Sequence, residues 1–131
     1  MRSAALERRL LQLAVAIGGC VPVFAGGAGV LLGTGMTGDS GSPALDSHMR
    51  YLSGLLLAIG LVFWWLIPKI EKPTPLVPIL TLIVFIGGLA RLGGIVTHGL
   101  PPGAMLFGLG MELVITPLIC LWQHRVALRK L

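Results

Sequence analysis

Charge is scarce in this chain. Only 11% of its residues are Asp, Glu, Lys or Arg, against about a quarter in ordinary soluble domains. A water-soluble globule of 131 residues could not be coated with so little polar surface. Cysteine is rare as well. Cys20 and Cys120 both lie inside apolar runs, with no CxxC or mixed His/Cys ligand spacing. A zinc site or a redox dithiol is therefore not supported, and two inert buried thiols are expected. No cofactor motif is present either, so neither a cofactor nor a metal is expected. Basic residues exceed acidic ones and give a net charge of +5. They flank apolar stretches without interleaved aromatics, which argues against nucleic acid as a partner.

Apolar residues make up 55% of the chain, and the mean hydropathy is +0.91. Nineteen glycines accompany them, as in helical membrane proteins whose small residues let helices approach closely. Four apolar segments stand out, at about 10–32, 51–67, 76–96 and 105–122. Each is long enough to cross roughly 30 Å of hydrocarbon as a helix. None alternates polar and apolar residues as the strands of a membrane barrel do. The expected fold is all-α: one transmembrane domain, an integral membrane four-helix bundle. Its expected environment is the lipid bilayer of a bacterial inner membrane.

Charge placement orients the bundle. Arg2, Arg8 and Arg9 precede the first span, Lys69 and Lys72 separate the second and third, and Arg125, Arg129 and Lys130 follow the fourth. With both termini in the cytoplasm, all of these fall on one side, and only Arg50 and Arg91 do not. The loop Gly33–Ser47, with Asp39 and Asp46, is then outside, as is the turn at His98 and Pro101-Pro102. A cleaved signal peptide is the competing reading of the first span, since Ile17-Gly18-Gly19-Cys20 resembles a lipoprotein cleavage box. The apolar run continues past Cys20 through Val30-Leu31-Leu32, where a mature lipoprotein turns polar, so a retained span is expected.

Local features refine the spans. Gly18-Gly19, Pro22, Gly26-Gly27 and Gly29 predict a kink or irregular turn in the first. Trp64 and Trp65 precede Pro68 and Lys69 as interfacial anchors would. Lys72-Pro73-Thr74-Pro75 reads as a stiff connector, and Thr116-Pro117 predicts a kink in the fourth span.

Two charged residues interrupt the apolar runs: Arg91 in span three and Glu112 in span four. Such groups are costly within a membrane and face a bundle interior or a cavity. Counted along the helical rise from the outer ends, Arg91 lies about 10 Å deep and Glu112 about 15 Å. A short turn joins the two spans, so they should pack antiparallel and form an Arg91–Glu112 ion pair. Gly87, Arg91, Gly94 and His98 share one helix face, as do Gly108, Glu112 and Thr116. A second polar group, Asp46, His48, Arg50, Tyr51 and Ser53, opens span two. Asp46 and Arg50 are placed as an i, i+4 pair, with Asp46 or Ser47 as the helix cap. An outward-facing polar pocket lined by Asp46, His48, Arg50, Arg91, His98 and Glu112 is the functional expectation. The plain alternative makes Arg91–Glu112 a clamp between helices and leaves the other four in headgroups or turns.

The run Leu45-Asp46-Ser47-His48-Met49-Arg50-Tyr51-Leu52-Ser53-Gly54 and the later Phe63-Trp64 and Ile67-Pro68-Lys69-Ile70-Glu71 resemble the bacterial domain-of-unknown-function family 4345. Gly87-Gly88-Leu89-Ala90-Arg91-Leu92, Gly99-Leu100-Pro101-Pro102 and Glu112-Leu113 extend the resemblance over nearly the whole chain. It implies a compact four-helix membrane protein and no established substrate. More loosely, the chain is similar to DoxX-type four-span proteins, some of which accompany membrane redox systems.

Three functions are compatible with these residues. The leading one is a non-catalytic protein that binds a lipid-like small molecule or serves as an accessory subunit of a membrane complex, with another membrane protein or a second copy as partner. A membrane enzyme acting on a lipid, quinone or sterol-like substrate would use Glu112 or Asp46 as acid/base and Arg50 or Arg91 for an anionic group. No nucleophile motif supports hydrolysis. A small proton-coupled transporter would use Glu112, but pairing with Arg91 would blunt it.

Overall fold

The structure, a computed structural model, describes residues 2–38 and 40–129. Asp39 and Lys130, named above for their charges, lie outside the described residues. Among the described residues there are five α-helices: α1 (Arg2–Leu32), α2 (Pro43–Leu66), α3 (Leu76–His98), α4 (Gly103–Gly110) and α5 (Thr116–Leu128). A π-helical segment, Met111–Ile115, joins α4 to α5, and 3-10 turns cover Gly33–Thr37 and Ile67–Lys69. Among the described residues there is no strand. The expected all-α class holds. Among the described residues, four helical stretches are long and apolar enough to cross a membrane: Arg2–Thr37, Pro43–Lys69, Leu76–His98 and Gly103–Leu128, with mean hydropathies of 2.0, 1.9, 2.2 and 2.0.

Packing divides the chain into two compact units. The first comprises residues 1–18 and 68–131, and the second residues 19–67. The boundary inside α1 falls between Gly18 and Gly19, at the turn whose Gly18 carbonyl loses its usual partner because Pro22 has no N–H. The helix nevertheless continues without interruption through Pro22 to Leu32, so no irregular turn breaks the first span.

The first unit has a dense core at one end. Leu11 and Val15 of α1, Ile70 of the connector, Val77 and Leu80 of α3, and Val126 and Ala127 of α5 are all buried. Leu11 and Val77 have no exposed surface, and Ile70 has 1%. Two polar side chains inside this core, Gln123 and Thr81, are satisfied. Gln123 donates from Nε2 to the carbonyls of Ile70 (2.9 Å) and Lys72 (3.0 Å). Thr81 donates to the Val77 carbonyl of its own helix at 2.7 Å.

The same end carries two ionic clasps. Glu7 accepts from Arg125 at 2.6 Å, Arg129 at 2.8 Å and the Trp122 indole at 3.3 Å. Arg8 pairs with the buried Glu71 at 3.1 Å and donates to the Pro68 carbonyl at 3.3 Å. Consecutive residues of α1 thereby hold both α5 and the connector. Glu7 lies just before the apolar run that begins at Leu10, and the hydrogen bond from Arg125 holds its carboxyl below the usual glutamate range.

The second unit is an antiparallel helix pair set by glycines. Gly19 lies against Trp64, Gly26 against the Leu57 backbone, Gly29 against Ser53, and Gly60 against Pro22 and Val23. Each step forward along α1 is matched by a step of similar length back along α2. A side chain at Gly26 would put its Cβ 2.5 Å from the Leu57 nitrogen, so only glycine permits this approach. Trp64 packs in a T-shaped arrangement against Phe24 with ring centroids 6.5 Å apart, whereas Trp65 is 68% exposed.

The expected long loop Gly33–Ser47 is much shorter. A 3-10 turn takes Gly33–Thr37, and α2 starts at Pro43. Ser42 is the cap rather than Asp46 or Ser47, accepting from the Leu45 N–H at 3.2 Å. The serine before a proline at the first helical position is the ordinary start signal, four or five residues before the expected caps Asp46 or Ser47.

Candidate functional site

Arg91 projects from α3 and Glu112 from the π segment that follows α4. Their side chains meet as a two-point fork, Nε to Oε2 at 3.2 Å and Nη2 to Oε1 at 3.0 Å. The expected ion pair is present, and its bidentate geometry is the stronger form of such a contact. The Glu112 side chain is 16% exposed and that of Arg91 34%, so the pair is partly accessible rather than sealed.

Local chemistry places the carboxylate. Pro117 cannot donate to the helix ladder, and its ring crowds the preceding turn. The chain answers by widening over Met111–Ile115. The Met111 carbonyl then accepts both the Thr116 N–H and the Thr116 hydroxyl, the latter at 2.7 Å. The Thr116 hydroxyl is thus turned onto its own helix. π segments are rare and tend to mark functional positions; Glu112 stands on this one.

Opposite it, α3 presents Gly88, where an added Cβ would lie 2.8 Å from Leu113 and 3.0 Å from the Glu112 Cβ. Gly88 is therefore the close-approach residue. The Gly87 and Gly94 face proposed from spacing is different: a Cβ at either position would meet nothing within 4 Å. Gly87 and Gly94 are exposed on α3, about one turn to either side of Arg91. Gly108 closes up to Glu112 as expected, with its virtual Cβ 4.0 Å from Oε1.

Asp46 and Arg50 also pair as expected, at 2.8 Å, in the other unit. Their wider contacts define a helix-end lock. Arg50 donates from Nη1 to the carbonyls of Val30 (2.7 Å) and Leu31 (3.2 Å) in the last turn of α1. Asp46 accepts from the Thr34 N–H at 3.0 Å in the 3-10 turn beyond. Cations satisfy helix C-terminal carbonyls in this way. Gly33 completes the lock: its φ is +55°, and the Asp46 carboxylate occupies the space a Cβ would need. Asp46 and Arg50 therefore have a structural occupation that accounts for both. His48 is exposed and stands outside this network. His98 ends α3, exposed, with Nδ1 2.8 Å from the Thr97 hydroxyl.

Glu7, Glu71 and Gln123 were not anticipated from the sequence. Glu7 and Glu71 carry a signal in retrospect, being acids inside flanks that are otherwise basic. Gln123 carries none that distinguishes it from a solvated residue at a helix end. Among the described residues, no group of three or more His, Cys, Asp or Glu side chains is placed to hold a metal.

Fold and site together define a class: a small all-helical protein with four stretches able to cross a membrane and one bidentate ion pair within the third and fourth. More specifically, the chain belongs to the family described as Domain of unknown function (DUF4345), whose model matches residues 10–123. No match was found among curated proteins or among solved structures.

Proposed function

We propose that this is a non-catalytic multi-pass protein of a bacterial inner membrane, with both termini cytoplasmic. It holds a lipid-like small molecule beside Arg91 and Glu112 in the outer half of the bilayer. The observation that carries the reading is the pair itself: a forked, partly accessible ion pair, with the carboxylate on a π segment and exposed glycines on α3 about one turn to either side of Arg91. A charge pair serving only as a clamp needs no such exposure.

The basic residues favour this orientation. Arg8, Lys69, Lys72, Arg125 and Arg129 flank one set of helix ends, the pattern of cytoplasmic ends. The exposed apolar side chains along the spans, such as Leu31 at 78%, Val96 at 81% and Leu121 at 67%, face hydrocarbon in this reading. An accessory role beside another membrane protein or a second copy is compatible with it, with the partner drawn to the same faces. Acid/base catalysis is less well supported, because Arg91 engages both oxygens of Glu112.

The test is mass spectrometry of small molecules retained by the detergent-purified protein. Retention of a defined amphiphile by the natural chain, lost in Gly87→Leu, is expected. Identical, non-specific lipid profiles in both proteins would overturn the reading.

A further inference from the structure

We propose that Arg9, Lys69 and Lys72 form a binding surface for the phosphate of an acidic phospholipid headgroup, at the end of the first unit that carries the two ionic clasps. This inference rests on the proposed membrane setting and not on a ligand beside Arg91.

The surface is built on a pinned turn. Lys69-Ile70-Glu71-Lys72 closes with the Lys72 N–H donating to the Lys69 carbonyl at 2.9 Å. Its two middle residues are buried, Ile70 at 1% exposure and Glu71 at 7%, while its two lysines are exposed. Gln123 of α5 holds the Ile70 and Lys72 carbonyls, at 2.9 and 3.0 Å. Arg8 of α1 holds the Pro68 carbonyl at 3.3 Å. The lysines therefore stand on a backbone fixed by two helices, and α1 meets it at the residue before Arg9.

The carboxylates of this unit are all engaged elsewhere. Glu71 is paired with Arg8, Glu7 is shared by Arg125 and Arg129, and Glu112 is held by Arg91. Arg9, Lys69 and Lys72 are exposed and have no ion-pair partner among the described residues. Each lies within two residues of the Arg8–Glu71 contact, so positive charge collects around a contact that is itself neutral.

Depth and sign choose the partner. Arg9 directly precedes the apolar run that begins at Leu10, and Lys72 lies four residues before α3. Cations at the edge of apolar helices sit at headgroup depth, where Lys and Arg attract phosphate. A zwitterionic headgroup also brings an ammonium, which finds no free carboxylate here. An acidic headgroup brings negative charge alone. An acidic protein segment would match the charge, but it would have to enter the headgroup layer, where phospholipid already lies.

Native mass spectrometry tests this with the full chain in micelles that hold equal amounts of phosphatidylglycerol and phosphatidylethanolamine of matched acyl chains. Phosphatidylglycerol adducts should exceed phosphatidylethanolamine adducts by about fivefold or more. Lys69→Gln with Lys72→Gln should bring the ratio close to parity at an unchanged melting temperature, and Lys69→Arg with Lys72→Arg should keep it. Arg9→Gln, outside the turn, should lower the ratio in the same direction. Arg2→Gln removes a cation about 10 Å along the helix from Arg9 and should leave it nearly unchanged, as should Arg91→Gln. Equal adducts on the natural chain would overturn the proposal and leave an acidic protein segment as the class of partner. A ratio that falls as far in Arg2→Gln as in Arg9→Gln would overturn it too, because diffuse charge would then suffice. Release of the natural chain from membranes by carbonate washing is a separate failure, of the membrane setting itself.

Discussion

Arg91 and Glu112 are held by two N–H···O contacts, at 3.2 and 3.0 Å, across the close approach made at Gly88. Removing either partner leaves an uncompensated charge inside an apolar span. Breaking a fully buried pair costs about 3–5 kcal/mol. Here Arg91 is 34% exposed, so a loss of roughly 1–3 kcal/mol is expected for Arg91→Gln or Glu112→Ala. Thermal melting in detergent reads it. The exchanged pair, Arg91→Glu with Glu112→Arg, should recover part of the loss. An exchange no more stable than the single variants would show that geometry, not charge, governs the contact.

Glycine substitutions should sort by contact, not by helix propensity. At Gly26 an alanine Cβ meets the Leu57 backbone, which cannot move aside, and a loss of roughly 1–3 kcal/mol follows. At Gly27 nothing lies within 4 Å, so alanine should be neutral or gain up to about 1 kcal/mol from its better helix propensity. Comparison of folded fractions of the two variants on gradual denaturation checks this pair of outcomes.

Arg50 should act as a helix-end residue rather than a ligand group. Arg50→Lys keeps the charge but loses the fork that reaches Asp46 and the Val30 and Leu31 carbonyls together. A cost of about 1 kcal/mol is expected. Amide exchange at Thr34, whose N–H is held by Asp46, should speed up in both Arg50→Lys and Asp46→Ala. Ligand retention should be unchanged in both.

Acid should loosen the Glu7 clasp. The Glu7 carboxyl is held below its ordinary value of 4.5, chiefly by the hydrogen bond from Arg125. A depressed carboxyl contributes stability above the ordinary value and loses it as pH falls through the native one. Melting temperature should therefore drop as pH falls below 4.5, and Glu7→Gln should flatten that part of the profile. An identical acid profile in the variant would place the sensitivity elsewhere.

The spans and the central ion pair were legible in the sequence because each rests on a local rule. Apolar length marks a span, and two opposite charges at matched depth, joined by a short turn, have one obvious partner each. The Asp46–Arg50 pair was legible for the same reason, since i, i+4 spacing alone sets it. Its attachment to Val30 and Leu31 was not, because that depends on where α1 ends, and the Gly-rich stretch hides the end. The close approach at Gly88 was not legible, because the spacing around Arg91 picks out the face of Gly87 and Gly94 and not the one that meets Leu113. The start of α2 was missed because the apolar pattern begins well after the Ser42-Pro43 start signal. The clasp of Glu7 on Arg125 and Arg129 joins opposite ends of the chain, and no local pattern reports a contact of that separation.

The central claim is four crossings with the ion pair in the outer half, and cysteine labelling in intact cells tests it most directly. In a background with Cys20 and Cys120 replaced by alanine, Ser3→Cys, Gly41→Cys, Thr74→Cys and Gly99→Cys are each exposed to a membrane-impermeant maleimide. Gly41→Cys and Gly99→Cys should label in intact spheroplasts, and Ser3→Cys and Thr74→Cys only after lysis. Labelling of Thr74→Cys from outside, or protection of Gly99→Cys, would contradict the account.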